Sequence, residues 1–227
     1  MFISTLDLFK IGIGPSSSHT MGPMSAAFKF REFLIENYLE QINPFWQVSC
    51  TLKGSLAHTG KGHATDRAVV MGLHGYLPTQ LEHLDLDVLS ASLMKRNQIF
   101  LKDKSALRFD PVEGLVFDTM HALAQHPNGM VFKLLDDQGK EQYSETFFSI
   151  GGGFINTASE IDALEAPINT HAMDNYPHPF DSASRMLKMA DSSNLSIAEM
   201  KQQNELCLAR NEALAEKELC RQIDDIW

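Results

Sequence analysis

The sequence predicts an α+β fold, with mixed helices and a mainly antiparallel sheet. Three stretches carry that prediction. Residues 24–38 set Ala27, Phe30, Phe33, Leu34 and Tyr38 at helical spacing. Pro23 stands just ahead of them, where a missing N–H suits a first helical turn. Trp46, Val48, Cys50 and Leu52 alternate with Gln47, Ser49, Thr51 and Lys53, the period of a half-buried strand. Finally, Met130–Leu135 and Gln142–Ile150 flank Asp136-Asp137-Gln138-Gly139, the clearest hairpin in the chain.

The other elements follow in order. Leu6-Asp7-Leu8-Phe9 is a short amphipathic lead-in, and Asn43-Pro44 ends the first helix. A helix is expected to begin near His63 and to run through Ala68, Val69, Met71 and Leu73. Asp85–Asn97 reads as another, with Val88, Leu89, Ser92 and Leu93 on one face. From Ile99 to Phe117 short strand-like pieces are interrupted at Asp103-Lys104, Pro111 and Gly114. Asn128-Gly129 is a turn signal ahead of the hairpin. Gly151-Gly152-Gly153 would weaken a strand unless a ligand or another backbone approaches there. Glu160–Thr170 is acidic and reads as a loop, and Asn175–Asp181 as a stiff extended segment set by its prolines. Ala183–Ala190 is helical. A longer helix starts near Ser196, capped with Glu199, and carries a stripe of Leu206, Ala209, Ala213, Cys220, Ile223 and Trp227.

Composition narrows the function. The 227 residues are 44% hydrophobic with a formal charge of −10, which argues against a nucleic-acid partner. No apolar run approaches the roughly 20 residues of a membrane span, and no secretory signal is visible. Cys50, Cys207 and Cys220 are odd in number and widely spaced. That argues against a disulfide framework and against a cysteine metal site, and for a reducing compartment.

Two stretches concentrate chemistry. In Gly12-Ile13-Gly14-Pro15-Ser16-Ser17-Ser18-His19-Thr20, hydroxyls and an imidazole crowd the approach to a helix N-terminus. Free N–H groups beside hydroxyls suit a carboxylate or phosphate, although a serine-rich loop that only caps a helix has the same composition. Gly54-Ser55 and Thr59-Gly60-Lys61-Gly62-His63-Ala64-Thr65-Asp66 repeat the pattern. This is not a phosphate-binding P-loop, because Ser55 stands where its first glycine belongs and Gly62 follows the lysine. His63 and Asp66 are one turn apart, which fits either a cap or a carboxylate orienting the imidazole.

Further along stand His126-Pro127-Asn128-Gly129-Met130, Tyr143 with Ser149 through Phe154, and Tyr176 through Phe180. In this order the motifs resemble the N-terminal β domain of bacterial iron–sulfur L-serine dehydratases. The resemblance covers nearly the whole chain, and its first motif is the most specific. It implies a β domain over residues 1–180 and a helical segment over 181–227 that leads toward a catalytic α domain lacking here. It also implies a fold like the allosteric substrate-binding domain of some phosphoglycerate dehydrogenases. The family's enzymes are L-serine ammonia-lyases. They convert L-serine to pyruvate and ammonia without pyridoxal phosphate, using a 4Fe–4S cluster as Lewis acid. Cysteines of the α domain hold that cluster, and Cys50, Cys207 and Cys220 do not match them, so no metal ligand is expected in this chain. The implied partners are L-serine, a catalytic α domain or subunit and further copies of the same chain, in the cytoplasm, with neither nucleic acid nor membrane. This chain, as an excised domain or a separate β subunit, is not expected to be active alone.

For such a reaction Ser16, Ser17, Ser18 and Thr20 are the expected carboxylate grip, with Lys61 offsetting charge and Gly129 beside the substrate. His19, His63 and His126 are the candidates for proton transfer or orientation, and the resemblance favours the latter two. A module that binds serine or a similar acid without chemistry, or a scaffold whose glycine loops only shape an interface, would use the same residues.

Overall fold

The computed structural model describes residues 4, 8, 11–102, 105–163, 176–211 and 221, with side chains to 207 in the last helix. The chain divides into two compact units, residues 11–167 and residues 1–10 with 168–227.

In the larger unit, helix α1 (Gly22–Tyr38) runs over the expected span, with Pro23 in its first turn. It is preceded by one π-helical turn, Ser17–Met21. The serine stretch is thus helical and not a loop, and the helix N-terminus falls at Ser16. That residue accepts the His19 N–H on its hydroxyl (3.1 Å) and the Thr20 and Met21 N–H groups on its carbonyl (3.0 and 3.2 Å). Strand β1 (Gln47–Gly54) buries Val48, Cys50 and Leu52 on one face, as the alternation requires. The glycine-bounded stretch after it is also helical: α2 (Ser55–Thr59) passes into a 3-10 turn, Gly60–His63. Ala64, at φ 55°, separates that turn from α3 (Thr65–Leu73), so this helix starts after His63.

Helix α4 (Leu86–Leu93) is capped by the Asp85 carboxylate. Ser90 and Leu93 face inward while Val88 is 66% exposed and Ser92 is also outside, so the buried face is rotated from the expected one. Short strands β2 (Gln98–Phe100), β3 (Ala106–Arg108) and β4 (Leu115–Asp118) follow. Strands β5 (Asn128–Leu135) and β6 (Glu141–Gly151) form the hairpin, and β7 (Phe154–Thr157) completes the described sheet. The order is β2-β3-β1-β5-β6-β7, with β4 also on β1. All pairings are antiparallel except those of β1 with β3 and β4.

Two further expectations change. Asn128-Gly129 is not a turn, because both residues are already in β5, opposite Gly54 and Lys53. The reversal is made earlier, by residues 119–127. Residues 160–162 are not a loop: Thr157 and Glu160 form a reciprocal capping box that starts α5 (Ala158–Asp162). The triple glycine closes the β6–β7 hairpin, and all three residues have positive φ (100°, 60° and 75°), which supplies the reason for glycine there.

Helices α1 and α3 cover one sheet face. Phe30 lies between Phe132 (5.2 Å) and Tyr143 (5.9 Å), and is fully buried. Gly72 lets the helices touch, since a Cβ there would lie 2.7 Å from the Ala27 Cβ. Cys50 sits in this core, where burial pushes its thiol well above the usual range.

The smaller unit contains α6 (Ala183–Ser193) and α7 (Ile197–Asn211), the latter begun by the Ser196–Glu199 pair. Asn204 and the backbone of His178 exchange two hydrogen bonds of 3.0 Å. Leu6, Asp7, Phe9, the 164–175 segment, and Ala213, Cys220, Ile223 and Trp227 of the expected stripe lie outside the described residues, as does the Ala209 side chain. Among the described residues no helix is long and apolar enough to cross a membrane.

Candidate functional site

Three segments distant in sequence meet in the larger unit: the turn Ser16–Thr20, the α2–Gly60–His63 corner, and the His126–Asn128 entry to β5. The centre is His19. Its Nδ1 shares a hydrogen bond with Ser18 Oγ and its Nε2 with Ser55 Oγ, both at 3.0 Å. Its ring lies 4.8 Å from that of His63. Ser55 also donates its N–H to the Pro127 carbonyl at 2.8 Å, which fastens the third segment to the other two. Gly54 makes this approach possible: at φ 58° and ψ −128° its backbone lies where side chains are not tolerated. A Cβ built there would overlap the Pro127 oxygen.

Two buried threonines lock the histidines reciprocally. Thr20 Oγ1 donates to the His63 carbonyl (2.9 Å) and Thr65 Oγ1 to the His19 carbonyl (2.6 Å). On the far side, the Asn128 amide donates to the Ser149 carbonyl at 3.0 Å. The Ser149 hydroxyl is fully buried, has no hydrogen-bond partner among the described residues and presses on Gly22, where no Cβ fits.

The hydrogen-bond partners also fix where protons sit. A carbonyl only accepts, so the His63 Nδ1 contact with the Thr59 carbonyl (3.0 Å) makes Nδ1 the N–H nitrogen and leaves a lone pair on Nε2 when the ring is neutral. His126 is the opposite case. Its Nδ1 accepts from the Asn128 N–H (3.1 Å), so the neutral ring carries its proton on Nε2. Burial lowers the pKa of His126, and burial followed by the nearness of His63 lowers that of His19.

The structure therefore brings together Ser16, Ser18, His19, Thr20 and His63, with Ser17 opening the same turn and His126 one residue from the Pro127 contact. Lys61 shares the His63 turn, but its ammonium lies over the Phe117 ring (5.4 Å from the centroid). Gly129 is a packing position, since a Cβ would lie 2.7 Å from Leu123 Cδ1. The Asp66 carboxylate accepts the Arg67 N–H, so the imidazole of His63 takes its orientation from Thr59 instead. Ser55, Thr65 and Asn128 stand inside the quoted motifs but were given no role, and they hold the site together. The one signal for Ser55 was its place after a strand-ending glycine.

The arrangement defines an α+β domain whose helix N-terminus, hydroxyls and imidazoles suit a small anionic ligand. A family model for the serine dehydratase beta chain matches residues 4–160. The chain is 36% identical over 230 residues to an L-serine dehydratase of Haemophilus influenzae, covering 99% of this chain and 47% of that protein. It is 38% identical over 197 residues to an L-serine dehydratase of Helicobacter pylori, covering 87% of this chain and 42% of the relative. With L-serine dehydratase 2 of Escherichia coli the identity is 36% over 231 residues, covering 99% and 47%. The chain belongs to the serine dehydratase beta-chain family. It spans about half the length of these relatives.

Proposed function

We propose that this chain is the β part of an L-serine dehydratase, supplying the substrate grip and the proton-transfer groups for elimination of water from L-serine, with pyruvate and ammonia as the final products. The observation that carries the reading is the convergence on one another of His19, His63 and the Ser55–Pro127 contact beside a helix N-terminus. An amino acid's carboxylate is held well by N–H groups and hydroxyls there. Ser17 and the Ser18 N–H are the groups proposed to provide them, because the Ser16 N–H donates to Thr20 Oγ1 and the Ser16 and Ser18 hydroxyls bond within the turn. His63 offers an unprotonated Nε2 suited to taking the Cα proton. His126 presents an Nε2–H suited to donating toward a departing oxygen or to a substrate carboxylate. With the proton gone from Cα and hydroxide from Cβ, the enamine product tautomerises and loses ammonia by hydrolysis.

The family resemblance implies a 4Fe–4S cluster. The described residues do not fit one: Cys50 is a core thiol whose ionisation is suppressed by burial, and no three His, Cys, Asp or Glu side chains among the described residues cluster to hold a metal. The cluster therefore belongs to a catalytic α domain or subunit in this proposal.

The test is L-serine turnover with a catalytic α domain supplied in trans. Replacing His63 with Gln is expected to lower kcat by about 100-fold or more, the usual contribution of a general base, with circular dichroism unchanged. Unchanged turnover removes His63 from the scheme. Serine binding by this chain alone, measured calorimetrically, together with no turnover in any assembled form would make it a binding module.

A further inference from the structure

We propose that His19 is a positioning residue and not a proton carrier: it backs the ring of His63 and leaves His63 as the imidazole with an open nitrogen. The inference deepens the dehydratase reading and rests on it for its catalytic meaning. It starts from the hydrogen bonds. Both His19 nitrogens are taken, by Ser18 Oγ on its own turn and Ser55 Oγ on another element. A hydroxyl donates or accepts as required, so the ring is satisfied in either neutral tautomer. A substrate atom would have to displace a serine to reach it. His63 differs, because its contact with Thr59 engages Nδ1 and leaves Nε2 outside that bond.

The backbone holds this division of labour in place. Thr20 and Thr65, about 1% and 0% exposed, cross-link the carbonyls of the two histidines, so neither histidine's backbone moves without disturbing the other segment. Two imidazolium rings 4.8 Å apart repel each other. A charge on His63 therefore opposes a charge on His19, whose own burial already disfavours the imidazolium. Other charged groups on these elements point elsewhere. The Lys61 ammonium lies over Phe117, the Asp66 carboxylate accepts the Arg67 N–H, and the Arg67 guanidinium pairs with Asp87 at 3.0 Å. No carboxylate bonds either ring among the described residues. His19 is thus a neutral wall behind a working base, sensitive to the charge on His63.

The experiment is a histidine ring titration of this chain by nitrogen and carbon NMR. His19 is expected to titrate below the ordinary imidazole value of about 6.5. Replacing His63 with Gln should move that midpoint upward, while Ser55→Ala should abolish the hydrogen-bonded shift of His19 Nε2. In the enzyme assembled with a catalytic α domain, His19→Asn should lower kcat by less than about 10-fold and keep the acid limb of the pH profile, where His63→Gln costs about 100-fold or more. A His19 midpoint unmoved by His63→Gln overturns the proposal. So does loss of turnover and of the acid limb in His19→Asn equal to that in His63→Gln. Absence of turnover in every assembled form would remove the dehydratase reading while leaving the titration to decide how His19 and His63 are coupled.

Discussion

Replacing Gly54 with Ala tests whether the three segments of the site are held as tightly as described. At φ 58° and ψ −128°, the backbone of residue 54 is outside the regions open to alanine, a strain of about 1–3 kcal/mol. The new methyl would overlap the Pro127 oxygen and lie 3.1 Å from its carbonyl carbon. Overpacking of that kind costs about 1–3 kcal/mol. Relief requires Pro127 to withdraw, which breaks the 2.8 Å bond from the Ser55 N–H and forfeits about 0.5–1.5 kcal/mol. Allowing for partial relief of the overlap, the expected loss is about 3–5 kcal/mol, against a typical total of about 5–15. With a urea slope near 2 kcal/mol per molar, the midpoint should fall by roughly 1.5–2.5 M. The His126 ring signals should shift as well, because that histidine adjoins the displaced carbonyl. Gly62→Ala is the control, since a Cβ there meets nothing within 4 Å and its φ is not positive. A Gly54→Ala protein within about 0.3 M of the parent, with His126 signals unmoved, would show that the tight contact at Pro127 does not hold the site.

Other perturbations act on different layers. Phe30→Ala removes a fully buried ring stacked on Phe132 and Tyr143, and should cost about 3–5 kcal/mol in urea unfolding. Thr65→Val leaves the His19 carbonyl without its buried donor, and should cost about 1–3 kcal/mol while moving the His19 titration. Acidification should weaken the fold. His19, His126 and His74 all have lowered pKa values in the folded chain, with burial the largest cause for each. The unfolded chain therefore takes up protons first, and stability present above about pH 6.5 is lost as the pH falls toward and through the lowered native values. The partial exposure of His19 and His126 makes their share modest. Urea midpoints at pH 7.5 and 5.5, in enough salt to screen the net charge of −10, should show the decline, and a rise on acidification would contradict it.

What was legible in the sequence was whatever a local period can express. The alternation through Val48, Cys50 and Leu52, the helix through Phe30 and Leu34, the Asp136–Gly139 hairpin and the Ser196 cap are each set by neighbours a few residues apart, and each lies where expected. The misreadings were of two kinds, local signals overridden from a distance and local capping that was not read. Asn128-Gly129 has turn composition, yet β1 and β6 flank it and claim its backbone for the ladder. Ser17–Met21 looked like a loop because serines compete for backbone hydrogen bonds. Here Ser16 uses that same capacity to close a helical turn. The same limit governs the site. Clustered hydroxyls and histidines announced the first two segments, but nothing local tells that both nitrogens of His19 are engaged. That depends on Ser55, 36 residues from His19, and on Thr65 and Thr20 crossing between segments. The division between a satisfied His19 and an open His63 is therefore partly a property of tertiary contact: the His63 ring is bonded within its own turn by Thr59, whereas His19 has its second nitrogen taken by Ser55 of the other segment.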